Sequence, residues 1–541
     1  MKKYYIILLL LACTYTSCKE QEFLKEEPKD NFYADNLFEK YEGFKLAVNG
    51  LLDFPRQERS EMIQSAELGV IWKIGTDNGW ANTELSWTRG LSKYTEADLS
   101  PTMQFVNGDT EGRDGIFLIL YKAIASANTI ITRAQKPDVD WQGGSEAQNV
   151  INKNQILGHA HLVRAWAYRH LAYTFGDVPI TTEEITGLNF RNDWDRNPVA
   201  EVQALVIADL TFAAANLPDV SNDVLVLSNA VANHYLADMY LWVNEPAKAE
   251  EAALKVTNNS NYSLITARYG ANRTLPGNAF MDQFKAGNIL RTQGNTEALW
   301  IFPNSDVLKL IGARGNAVRR TWVVNYSSFS PYSPENGGRG IGRAGITAWG
   351  LNNYEATDDR FSDHAIKRSY VSATGAVTLT QSTSAQMNIN NNRWASTRKW
   401  DWVSLDPARW GDSYSFADQT YLRLADTYLL LAEAYFKQGK LTQAAEFINK
   451  VRTRSKATPI ATDGSTITLD YILDERSREL VTEELRRETL IRTGKLLERA
   501  RNPIYNKHTV NIKDYQVLLP IPQKVIDANT GKTMSQNPGY N

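Results

Sequence analysis

Apolar side chains recur every three to four residues along most of this chain, and that period predicts helices. The clearest unit is Tyr421–Arg454. There Tyr428, Leu431, Ala432 and Tyr435 share one face, Gly439 marks a turn, Leu441 and Ala444 carry a second amphipathic run, and Pro459 stops it. The small side chains of Ala432 and Ala444 let two such helices approach closely. A weaker copy spans Asn233–Val256, where Leu236, Ala237 and Tyr240 precede Ala249 and Ala253. A third first-helix pattern, with Ala165, Tyr168 and Ala172, lies within Ile156–Phe175. The same period predicts helices over Phe38–Phe54, Gly115–Arg133, Val202–Leu217 and Tyr471–Gly494.

The spacing in Tyr421–Arg454 matches a tetratricopeptide helical hairpin. Its copies are scattered rather than tandem, so the expected fold is mostly α: a tetratricopeptide-like helical-repeat scaffold with long loop-rich insertions and few short strands. The insertions are residues 60–110 and 257–420, both rich in Gly, Asn, Ser and Pro. Val377-Thr378-Leu379-Thr380 alternates like a small strand, and Pro334-Glu335-Asn336-Gly337-Gly338 reads as a turn. Loops on a rigid frame are where binding residues concentrate.

The N-terminus predicts export. Lys2 and Lys3 precede the nine-residue apolar run Tyr4–Ala12, and small polar residues, broken by Tyr15, lead to Cys18. Nine residues rise only about 13 Å as a helix, short of the ~30 Å hydrocarbon core. Residues 1–17 therefore read as a leader and 18–541 as one mature domain. The two cysteines of the chain, Cys13 and Cys18, both lie in this segment. Cys18, preceded by Thr16-Ser17, looks like a bacterial lipoprotein acceptor whose acyl chains would hold the protein to a bilayer. Cys13 competes for that role but leaves a very short apolar run, and an ordinary leader cleaved a few residues later is the plain alternative.

With 59 basic and 61 acidic residues the formal charge is −2, and the basic pairs Arg319-Arg320 and Arg486-Arg487 make no stripe, which argues against nucleic-acid binding. Gly340–Gly345 satisfies GxGxxG, but a Pro/Gly/Asn loop precedes it where a dinucleotide site needs a strand. His159 and His161 sit about 200° apart around a helix and cannot share a metal, and His170, His234, His364 and His508 add no ligand spacing. The adjacent pairs Glu483-Glu484 and Asp358-Asp359 read as salt-bridge or helix-surface groups. No nucleophile constellation is visible. The chain implies no cofactor; its many Asp and Asn leave a structural Ca²⁺ open without supplying a motif.

Tryptophan is the outlier. Of 14, seven lie between Trp300 and Trp410, and Trp72, Trp80 and Trp87 fall in the first insertion. Flat aromatic faces in polar loops suit stacking on sugar rings, while Asn, Asp and Arg bond the hydroxyls. The alternative is that each indole buries its area in local core.

Four stretches together resemble the SusD/RagB family of Bacteroidetes outer-membrane nutrient-binding lipoproteins. They are Phe175-Gly176-Asp177-Val178-Pro179; Tyr421–Asp426 leading to Leu431–Ala434 and Ile448–Arg452; Glu475–Arg487 running into Leu490–Lys495; and Leu518–Pro522 before Gln536–Tyr540. Glu488-Thr489 and Thr493 depart from the aromatic-Asp pair and the Trp common there. Lys19-Glu20-Gln21-Glu22 resembles the acidic tether of lipoproteins sent to the cell exterior. The resemblance implies four tetratricopeptide-like units, a lipid anchor at Cys18, a SusC-like TonB-dependent transporter as partner, a glycan ligand and no catalysis. By position in the two insertions it points to Trp80, Trp87, Trp322, Tyr326, Tyr332 and Trp349 for stacking, with Asp77, Asn78 and Arg320 for hydrogen bonding. Asp77 and Asn78 also read as turn formers in Thr76-Asp77-Asn78-Gly79. Peptide capture, a glycoside hydrolase and a purely structural lid are the competing readings.

Overall fold

The computed structural model describes residues 37–540 apart from 61, 64, 83–84, 305–314, 373, 376, 380–392, 405 and 413. The leader, Cys18, the acidic segment after it and Thr380 lie outside the described residues. Among the described residues nine helices make the frame: α1 (Tyr41–Leu51), α2 (Ile116–Arg133), α3 (Glu146–Phe175), α4 (Val199–Asn216), α5 (Asn229–Trp242), α6 (Pro246–Thr257), α7 (Leu424–Lys437), α8 (Leu441–Arg454) and α9 (Leu469–Leu480). From α2 to α7 each packs on the next, and α7 takes both α8 and α9. The helical stack thus runs from α6 straight into α7, although residues 258–423 lie between them in the chain.

Local chemistry sets these boundaries. The Ser145 hydroxyl accepts the Gln148 N–H at 3.2 Å and starts α3, and the Thr468 hydroxyl accepts the Tyr471 N–H at 3.0 Å and starts α9. Pro246 occupies the first turn of α6, where a missing N–H costs nothing. The α7–α8 turn needs Gly439, whose φ is +72°. Ala432, Ala444, Ala249 and Ala253 are all fully buried, as the close approach of hairpin helices requires.

Two expectations change. Tyr421–Arg423 is not helical: Gln419–Arg423 is a strand, and α7 begins at Leu424. The expected helix Tyr471–Gly494 is interrupted after Leu480 and resumes as α10 (Arg486–Arg492), followed by α11 (Leu496–Arg501). No Gly or Pro marks the break. Thr482 takes φ +67°, which lets Glu483 meet Arg423 (2.7 Å) and Lys399, and Glu484 meet Arg476 (2.6 Å) and Arg486 (3.1 Å).

The strands are short and paired antiparallel: β1 (Gly79–Ala81) with β3 (Ala344–Ile346), and β2 (Ala298–Phe302) with β4 (Gln419–Arg423). Val377–Leu379, expected as a strand, pairs with Ser369–Val371. A large apolar core fills the helical stack. A second, smaller core sits inside the insertions, built from Trp80, Val323, Val324, Tyr326, Ile346, Leu351, Tyr370 and Trp394.

Buried ion pairs stitch the insertion to the frame. Arg423 meets Glu297 (2.6 Å), Glu479 (2.9 Å) and Glu483, while Arg454 meets Glu297 (2.6 Å) and Glu479. Arg360 meets Asp358 (2.8 Å), Glu475 (2.8 Å) and Glu479 (3.0 Å). Burial raises the Glu475 carboxyl, but Arg360, Arg478 and Arg452 outweigh it and hold its pKa at about 2. Glu483, Glu484 and Asp358 are thus salt-bridge groups, as their sequence pairing suggested, though buried ones; Asp359 pairs with Lys456. Glu488, the departure from the family pattern, is bonded by Arg169 and His170, each at 2.6 Å.

Candidate functional site

The nine insertion residues expected to meet a ligand divide by burial. Asp77 and Asn78 do form the turn that their sequence suggests: the Thr76 hydroxyl accepts the Gly79 N–H at 3.1 Å. The turn points inward. Asp77 is fully buried and receives Arg486 at 2.6–2.8 Å and Arg499 at 2.8 Å, and the Asn78 amide donates to the Ser477 hydroxyl at 3.0 Å. Both residues tie the first insertion to the C-terminal helices, so their polar atoms are already satisfied.

Trp80, on β1, is also buried, edge-on to Trp394 with centroids 5.5 Å apart and stacked on His508 at 5.2 Å. Trp322 is 2% exposed and its indole N–H donates to Glu67 at 2.8 Å. Tyr326 is buried with its ring stacked on Tyr370 at 4.7 Å, and its hydroxyl donates to the Gly337 carbonyl. These three rings are core: no face is open for a sugar to stack on. The backbone of Trp87 belongs to the helix Ser86–Ser92, and its side chain lies outside the described residues.

Three expected residues remain at the surface. Trp349 is half-buried and edge-on to Tyr505 at 4.8 Å; it follows β3, whereas Arg343 precedes that strand. Arg320 and Tyr332 are half-buried and lie together with a loop that sequence reasoning did not select. The link is Arg319, whose guanidinium donates to the carbonyls of Arg339 (3.1 Å), Trp402 (2.5 Å), Asp412 (2.6 Å) and Tyr414 (3.2 Å). Burial pulls the Arg319 pKa down to about 10. This one buried side chain pins loop 339–343 against loop 402–414.

Further bonds complete the face. The Arg339 N–H donates to the Trp410 carbonyl at 3.3 Å, and the Ile341 and Gly342 N–H groups donate to the Arg320 carbonyl at 3.1 and 3.0 Å. The Tyr332 ring lies over Gly411: a Cβ built there would touch it at 3.4 Å. Tyr414 is 40% exposed and Trp410 half-buried. Tyr414 therefore lies beside Arg320, Trp410 is bonded to the Arg339 backbone and Tyr332 lies over Gly411, on loops fixed by Arg319 and by the β1–β3 pair. The signal that could have found this loop is Trp410-Gly411-Asp412-Ser413-Tyr414, two aromatics spaced across a polar turn.

GxGxxG at Gly340–Gly345 is a loop running into β3, with the five-residue helix Ala348–Asn352 after it. Among the described residues no three His, Asp or Glu side chains converge as a cation site needs. Two grooves lie elsewhere: one of about 1140 Å³ lined by Arg268, Tyr428, Glu446 and Lys450, the other of about 1230 Å³ beside α4–α6.

Comparison with known proteins locates the chain. The SusD family model matches residues 350–540, and a model described as "Starch-binding associating with outer membrane" matches residues 86–241. SusD-like protein P2 of Formosa agariphila is 24% identical over the whole of both chains. The starch-binding protein SusD of Bacteroides thetaiotaomicron is 34% identical over 131 residues, 24% of this chain and 22% of that one. A solved laminarin-binding SusD-like protein superposes with a TM-score of 0.68 at 20% identity, covering 92% of this chain and 99% of that one. That likeness establishes the fold.

Proposed function

Because this chain belongs to the SusD/RagB family, we propose that it is a lipid-anchored glycan-binding protein of the outer cell surface. It captures oligo- or polysaccharide and delivers it to a SusC-like TonB-dependent outer-membrane transporter, without catalysing a reaction. The observation that carries this reading is the loop face of Tyr332, Trp410 and Tyr414, with Arg320 beside Tyr414: aromatic rings and donors on loops pinned by Arg319. Such a face offers stacking for sugar rings and hydrogen bonds for their hydroxyls. The matching model's description, starch-binding and outer-membrane-associated, supports both ligand class and location, and Cys18 is the proposed anchor. The adjacent carboxylates Glu483-Glu484 and Asp358-Asp359 are closed into ion pairs with arginines and lysine, which favours capture over hydrolysis.

Calorimetry of the soluble mature chain, Lys19–Asn541, against plant, microbial and host polysaccharides tests the reading. The expected result is saturable binding to at least one polymer with no new reducing ends. Peptide capture is the second reading, favoured by the charged groove at Arg268, Glu446 and Lys450; silence from every polysaccharide with heat from charged peptides would select it instead.

A further inference from the structure

Several half-buried arginines elsewhere in this protein are matched by acids. Arg133 meets Glu184 at 2.8 Å, Arg268 meets Asp282 at 2.7 Å and Arg398 meets Asp401 at 2.6 Å. Arg320 and Arg343 are not so matched, and unlike the solitary Arg291 they lie beside one another. Both are half-buried, and in each the Nε–H is buried with no hydrogen-bond partner among the described residues. No carboxylate among the described residues pairs with either guanidinium. Among the described residues the charged neighbours of the Arg320 head are Arg339 and Arg343, with the Tyr414 hydroxyl beside them, and burial together with these two arginines pushes its pKa down. Burial lowers the pKa of Arg343 as well.

This arrangement is costly when empty. A guanidinium stays charged and carries five donors in a fixed fork. Burying one of those donors unpaired, beside like charges, loses solvation without recovering a bond. An acceptor offsets that loss, and carboxylate or sulfate oxygens do so best because they fit the fork bidentately and carry the opposite charge. The molecule as a whole carries a formal charge of −2, so net charge does not draw polyanions to it, and a preference for them has to come from a local patch.

We propose that the glycan taken at the Tyr332–Trp410–Tyr414 face is anionic, its carboxylate or sulfate groups held by Arg320 and Arg343. The inference rests on the glycan-capture reading and names its substrate class. The aromatic rings stack the sugar, and the two guanidinium groups select its charged substituent.

The test uses matched polymers on the mature chain: polygalacturonate against its methyl-esterified form, and a sulfated galactan against its desulfated form. Titrations run at 20 and 200 mM salt. The charged member of at least one pair is expected to bind ten-fold or more tightly, with that margin shrinking as salt rises. Arg320→Gln with Arg343→Gln should reduce the charged-to-neutral affinity ratio to near one at unchanged thermal midpoint. Arg320→Lys, a point charge without the fork, should restore part of the ratio. Which pair responds separates uronate from sulfate. Equal affinity within both pairs, or a ratio unmoved by the double variant, overturns the charge assignment and leaves glycan capture standing. Absence of binding to all four polymers, with silence across the wider panel, removes both.

Discussion

Asp77→Ala is expected to cost about 3–5 kcal/mol of folding stability, the scale for removing one partner of a buried ion pair, and to act on ligand binding only through loss of fold. The Asp77, Arg486 and Arg499 side chains are all 0–1% exposed. Without the carboxylate, two guanidinium groups remain in the interior, relieved in part by Glu484, Asp470 and Asp474. Urea denaturation of the variant beside the unmodified chain measures the cost. Unchanged stability with weakened polysaccharide binding would return Asp77 to the ligand site.

The same network gives a pH dependence. Burial raises the Asp77 carboxyl, but Arg486 and Arg499 outweigh it and hold its pKa below the ordinary value; Asp238 is lowered to about 2 because Arg169 and Arg492 outweigh its burial. A carboxyl whose folded pKa lies below its unfolded value of about 3.9 contributes stability that is complete above that value. It is lost as pH falls through the folded pKa. Stability should therefore decline below about pH 5, and Asp77→Ala should decline less steeply over that interval, having already lost one such group.

The second large effect concerns binding. Tyr332→Ala combined with Tyr414→Ala should weaken polysaccharide affinity by about 1–3 kcal/mol per lost ring, on the scale known for flat rings stacked on aromatic side chains. Both rings reach the surface, so the fold should survive their loss. Trp322→Phe is the internal comparison. It removes the indole that donates to Glu67 at 2.8 Å inside the core, so it should lower stability and leave the affinity of the folded fraction alone. Full affinity in the double tyrosine variant, with intact near-ultraviolet dichroism, would remove these rings from the platform.

The helical frame was legible because its signals are local. Tyr428, Leu431, Ala432 and Tyr435 state their shared face by spacing, Gly439 states its turn, and Pro246 opens α6. The break at Val481–Leu485 was not, because its cause is remote: Glu483 turns toward Arg423, 60 residues away in sequence. Arg423 and Glu297, 126 residues apart, likewise leave no pattern to read. Tryptophan misled for a different reason. An indole in a Gly/Asn-rich stretch looks the same whether it meets solvent or a second core, and Trp80, Trp394 and Tyr326 make that core. Arg320 and Tyr332 were selected by their place in the insertion and are half-buried in the structure; Tyr414 carries no local signal of its place beside Arg320, because it is the Arg319 strap, spanning loops 339–343 and 402–414, that brings it there.

Hydroxyl-radical footprinting of the mature chain, with and without a saturating polysaccharide from the calorimetric panel, tests the central claim most directly. The account predicts protection of Tyr332, Trp410 and Tyr414 on binding, with Tyr428 in the helical groove unchanged. Protection at Tyr428 with none at the three loop aromatics would place the ligand on the helical frame and contradict it.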